Sequence, residues 1–186
     1  MVYGLIFTAL SGVAGIAGFS AAALLRIRSW SAFSVRRVSR QWLLIGVGAG
    51  LVAFVVKGLA TLAYTAITGD SSTPQTMYAE GGSGGVLSLI LATLFLGILT
   101  PLGEELLFRG VIANVLLRYG SVFGVVSSAL IFALVHGINI VFPTALVMGL
   151  VGAELLRRSG SVWPAVIVHV VINLPTVPAL VAAGTG

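Results

Sequence analysis

The stretch VLSLILATLFLGILTPLGEELLFRGVIANVLLRY, residues 86–119, decides the fold. It is apolar over more length than one crossing needs, since a membrane span takes about 20 such residues. Inside it stand Glu104 and Glu105, adjacent, two of only five acids in a chain of 186 residues. The run is too long for one straight span. Pro101 gives two readings: a kinked helix, or a short helix followed by a second one starting near the proline.

The rest of the chain has the same character. It is 58% hydrophobic and 8% charged, with a mean hydropathy of +1.13. Soluble domains carry about a quarter charged residues, so an ordinary soluble globule is excluded. Disorder is excluded too, because it needs low hydrophobicity and high charge. The expected fold is all-α: a polytopic transmembrane bundle of about six to seven helices in one membrane domain, 1–186, with no room for a separate soluble domain. With no cysteine in the sequence, disulfide and thiolate chemistry drop out.

Working outward, the spans are expected at roughly 2–25, 42–67, 86–118, 121–142, 144–158 and 161–183. The first lacks the basic start of a signal peptide and is long enough to cross. It carries Gly12, Gly15 and Gly18, a small-residue face for close helix packing. Residues 26–41 hold five arginines and no acid, which places that loop in the cytoplasm. Residues 68–85 are polar and Gly-rich, as a flexible external loop would be. A single crossing by 86–118 puts residues 26–40, Arg118, Arg157 and Arg158 on one side; a break near Pro101 makes seven helices and moves the last three outside. The net charge of +5 sits in short loops between apolar runs, so the partner it implies is a lipid bilayer and not nucleic acid.

Ionisable groups within spans are costly and face a cavity or a partner. Glu105 and Arg109 are four residues apart and pair on one helix face. Glu104 lies about 100° around the helix, which leaves it free for chemistry. His136 follows Phe132 by four residues, and Asn173 follows His169 by four. Glu104 and His136 stand 16 residues either side of Gly120. If two helices turn there, both residues lie roughly 20 Å from the turn and at one depth. His169 and Asn173 reach the same layer from the Ser159-Gly160 end. A carboxylate, two imidazoles and a carboxamide form a hydrolytic set. Glu104 can take a proton from water with His136 as partner, and His169 and Asn173 can donate to an oxyanion. In the alternative, Glu104, His136 and His169 hold a zinc ion with one open position. The sequence has no HExxH motif.

The motifs EExxxR at 104–109, FxxxH at 132–136 and HxxxN at 169–173, in this order on successive hydrophobic helices, resemble the CPBP family. That family groups CAAX proteases with bacteriocin-processing enzymes and is also called Abi. The resemblance covers residues 86–183; the two N-terminal helices, within 1–67, carry no motif. It implies an intramembrane endopeptidase in a prokaryotic plasma membrane, acting on a peptide or protein substrate that is prenylated in the CAAX-type branch. Under the same resemblance Glu104 and His136 activate water, His169 and Asn173 stabilise the oxyanion, and Glu105 and Arg109 support the site. The family carries a metalloprotease label, but the resemblance favours a glutamate mechanism with no cofactor, zinc being the alternative. A non-catalytic accessory protein or chaperone for peptide maturation or export is the competing functional class.

Other polar residues read as structural. Glu154 is expected to pair with Arg157, Asn139 to end a helix, and Asn114 to make an interhelical hydrogen bond. Trp30, Trp42 and Trp163 lie where interface anchors belong. Lys57, inside the second span, has no assigned role.

Overall fold

The computed structural model describes residues 2–70 and 74–184. Ser71, Ser72 and Thr73 of the expected loop lie outside the described residues. Among those described there is no strand, and seven helices make the bundle. They are α1 (Val2–Ala22), α2 (Arg40–Thr68), α3 (Thr76–Gly82), α4 (Val86–Tyr119), α5 (Ser121–Val135), α6 (Phe142–Ser159) and α7 (Trp163–Ala182). Four segments are long and apolar enough to cross a membrane: Val2–Leu25, α2, α4 and α7. Of the other two spans expected, α5 is shorter, at 15 residues, and α6, at 18 residues, carries Glu154, Arg157 and Arg158.

α4 is one continuous helix of 34 residues, so the break near Pro101 does not occur. Its continuity has a local cause. Proline removes a donor and its ring presses on the preceding turn. Here a wide π-helical turn at Phe95–Leu99 precedes it, which opens the ladder where the N–H is missing. A second π segment, Leu106–Ala113, follows the glutamates. The pair Glu104-Glu105 thus sits on a short α-helical piece, Thr100–Glu105, between two widened turns.

α1 and α4 cross at glycines. A Cβ on Gly103 would collide with the backbone of Gly12, and one on Gly15 would meet the backbone of Gly103. Thr100 Oγ1 donates to the Thr8 carbonyl at 3.0 Å beside this crossing. The contact fixes the backbone of the residue next to Glu104. α2 approaches α7 in the same manner: Gly46, Gly50 and Ala53 are buried, with Gly46 over Pro164 and Gly50 over Val168 and Val171. The opposite face of α2 exposes Leu51, Val52, Val55 and Leu59, as a lipid-facing helix does.

Two further expectations are corrected. The span 121–142 ends at Val135, because Gly137 adopts φ +80° and the His136 and Gly137 amides close back on Ala133 and Leu134 at 3.1 and 3.0 Å. His136 therefore caps a helix instead of sitting within one. The stretch 68–85 is not loop throughout. It forms α3, which packs against α1 through Gly81 and Gly4 and against Val177 and Val181 of α7 through Gly82. Ser88 Oγ ties its end down by donating to the Gly81 carbonyl.

The arginine-rich segment 26–39 folds onto one end of the bundle. Arg36 Nε donates to the Gly160 carbonyl at 2.6 Å, Ser161 Oγ to the Arg36 carbonyl at 2.9 Å, and Ser34 Oγ to Asn114 Oδ1 at 3.1 Å. The Asn114 bond therefore reaches a connecting segment, not another helix. The same contacts put 26–39, the end of α4 and the α6–α7 turn together, as the single-crossing reading of α4 requires. Glu154 pairs with Arg157 through two bonds of 2.7 Å and with Arg158, on that exposed end.

Candidate active site

The α4–α5 hairpin turns at Gly120, with φ +126°, and brings its two polar residues level. Glu104 Oε2 stands 3.8 Å from His136 Nε2 and 3.9 Å from His169 Nε2. It has no hydrogen-bond partner, although Glu104 is only 7% exposed. A buried carboxylate oxygen without a partner is costly, and such exceptions concentrate where chemistry is done.

Both imidazoles are anchored by Nδ1. In His136 that nitrogen is 2.8 Å from the Phe132 carbonyl. A carbonyl only accepts, so Nδ1 carries the proton and Nε2 faces Glu104. The ring also packs on Phe132, with centroids 4.7 Å apart. Asn139 stabilises the turn that follows, donating to the His136 carbonyl at 2.9 Å and accepting from the Val141 amide at 2.8 Å. In His169, Nδ1 lies 2.9 Å from Glu105 Oε1.

Glu105 therefore has two duties. Its Oε2 meets Arg109 Nε at 2.9 Å, as the spacing predicts, while Oε1 holds His169. The His169 contact was not anticipated; residues 64 apart carry no local signal of it. Glu105 and Arg109 are fully enclosed, at 0% and 1% exposed. The guanidinium is fixed from two more sides: Nη2 donates to the Met148 carbonyl at 3.0 Å, and its carbon lies 4.4 Å from the Phe132 ring centre; Gly152 leaves room for it. Phe132 thus touches Arg109, His136 and His169 together.

Glu104, His136, His169 and Asn173 all line one cavity of about 470 Å³. Its walls come from α1 at Ser11 and Gly15, α2 at Lys57, α3 at Tyr78, and α6 at Thr144 and Met148. Asn173 Nδ2 makes one long bond, 3.4 Å, to the Leu96 carbonyl; its second N–H remains for another acceptor. The sequence-predicted quartet is therefore brought together. Tyr78, Lys57 and Ser11 were missed as lining residues, since they lie outside the three motifs.

The zinc alternative meets a geometric difficulty. Tetrahedral zinc with ligands at about 2.0–2.2 Å holds its donors about 3.4 Å apart, whereas Glu104 stands 3.8 and 3.9 Å from the two imidazoles. Among the described residues, no group of three His, Cys, Asp or Glu side chains is arranged to hold a metal ion. The residues do not fit that group as they stand.

No curated protein and no solved structure matches the chain. The segment from the start of α4 to the turn after Asn173 carries all three motifs and every residue of the quartet. Residues 86–175 match the family model described as Rce1-like, type II CAAX prenyl endopeptidase, which is consistent with the CPBP family.

Proposed function

We propose that the protein is an intramembrane endopeptidase that hydrolyses a peptide bond of a membrane-associated, prenylated substrate. The observation that carries this reading is the partnerless Glu104 Oε2, held 3.8 and 3.9 Å from two imidazole nitrogens inside the cavity. That gap suits one water bonded to both Glu104 and His136. Glu104 takes a proton from the water while its oxygen attacks the scissile carbonyl carbon, and His136 Nε2 accepts the second water proton as a hydrogen bond and orients the attack. The carbonyl oxygen becomes an oxyanion and accepts from Asn173 Nδ2–H and His169 Nε2–H. Collapse breaks the C–N bond, and the proton on Glu104 passes to the leaving amine.

For His169 to donate from Nε2 while Nδ1–H donates to Glu105, the ring carries both protons. Glu105 and Arg109 act through His169 and the α4 backbone, as positioning residues. The arginine-bearing end of the bundle faces the cytoplasm of a prokaryotic cell, where positive loops are retained.

The test is product mapping. The purified full chain is incubated in lipid with an S-farnesylated peptide ending in a CAAX sequence, and products are read by mass spectrometry. Internal cleavage leaving a new carboxylate on the prenylated fragment is expected. An intact peptide, with the protein shown folded, contradicts the reading and favours an accessory role.

A further inference from the structure

Lys57 lies well inside the membrane-spanning helix α2, and the hydrolytic set leaves it unused. Its direction follows from packing. Gly46, Gly50, Ala53 and Lys57 fall at successive spacings of four, three and four, so they share one face of α2. The three small residues bury that face against α7, and this turns the lysine inward instead of toward lipid. Nζ donates to Thr176 Oγ1 at 3.2 Å. No carboxylate among the described residues forms an ion pair with it. An inward ammonium resting on a neutral hydroxyl lacks its counter-ion, which marks a ligand site in a membrane protein.

Lys57 also lines two neighbouring cavities. One is the hydrolytic cavity. The other, about 340 Å³, has apolar walls that include Phe54, Ile140 and Leu180. Gln75, Val141 and Thr144 line both as well, so the ammonium stands at their junction. Its depth is fixed by Thr176, which follows Asn173 by three residues and His169 by seven. At about 1.5 Å per residue these are about 5 and 10 Å along α7. Extended peptide advances about 3.3 Å per residue, so Thr176, on which the ammonium rests, lies about one and a half to three residues of peptide along α7 from the oxyanion donors.

Resting on the endopeptidase reading of the same cavity, we propose that Lys57 binds the C-terminal carboxylate of the substrate. The site then selects a free chain end. The adjoining apolar cavity receives the side chains next to that end. Lys57 lies outside the segment matched at 86–175, so its role is a property of α2.

The experiment compares two fluorescent S-farnesylated tetrapeptides, identical except that one ends in a carboxylate and the other in a carboxamide. Binding is measured with the full-length Glu104→Gln protein, with and without Lys57→Met or Lys57→Arg, and cleavage is measured in parallel with Glu104 intact. A charge-assisted contact predicts a preference for the free acid of about tenfold or more. Lys57→Met should reduce that ratio to about one by weakening the acid alone, and Lys57→Arg should retain it. Equal binding of acid and amide, or an equal loss of both in Lys57→Met, overturns the proposal. Discrimination without any cleavage would refute the peptidase reading and leave the carboxylate site standing; cleavage without discrimination would do the reverse.

Discussion

Glu105 and His169, on different helices and 64 residues apart, share a hydrogen bond of 2.9 Å that locks α7 to the turn of α4 that carries Glu104. The other oxygen of the same carboxylate holds Arg109 at 2.9 Å. One side chain thus sets the rotation of an imidazole and neutralises the buried guanidinium. Removing it should do two separable things. Glu105→Ala leaves Arg109 uncompensated and should cost about 3–5 kcal/mol of stability. The double variant Glu105→Leu with Arg109→Leu removes both charges and should recover most of that loss, while hydrolysis stays abolished because His169 has lost its anchor. Thermal melts and cleavage assays on the three variants check this.

The α1–α4 crossing makes a prediction outside the reacting groups. Gly103 lies against the Gly12 backbone with no space for a side chain. Gly103→Ala should destabilise the bundle by about 1–3 kcal/mol through overpacking. Activity should fall by more than stability explains, since the displaced backbone carries Glu104. Gly48, which has nothing near it, supplies the control: Gly48→Ala should be neutral or slightly stabilising by helix propensity. Melting temperature and hydrolysis rate, measured side by side, separate the two.

The turn after α5 makes a third. Asn139 bonds the His136 carbonyl and the Val141 amide. Asn139→Ala should cost about 1–2 kcal/mol locally, by the loss of two hydrogen bonds, and should lower kcat more than it raises KM. An effect on KM alone would contradict its placement behind His136.

Metal dependence gives a fourth. With Glu104 spaced 3.8 and 3.9 Å from the imidazoles, hydrolysis should survive exhaustive chelation with less than about a twofold change, against the complete loss expected of a zinc-activated water. Loss on chelation and recovery with zinc would contradict the glutamate mechanism.

Much of this site is written in local spacing. EExxxR puts one carboxylate on Arg109 and turns the other away. The equal distances of Glu104 and His136 from Gly120 bring them level once the hairpin forms. Spacing could not show what depends on contacts between distant segments. The Glu105–His169 bond needs the relative rotation of α4 and α7, and the direction of Lys57 needs the small-residue contact of α2 with α7. α3 is hidden in a Gly-rich stretch that composition assigns to a loop, because its helix is made by packing on Gly4 and Val177 more than by propensity. The early end of α5 rests on one positive-φ glycine, Gly137, within a run whose hydropathy continues past it.

The central claim is that the free carboxylate of Glu104 activates water, and Glu104→Gln tests it most directly. Glutamine keeps the shape and the cavity but cannot take a proton. Single-turnover hydrolysis of a prenylated peptide by this variant should fall by about 10²–10⁴-fold, with melting temperature and peptide binding unchanged. Hydrolysis at more than about a tenth of the normal rate in folded Glu104→Gln protein would contradict the account.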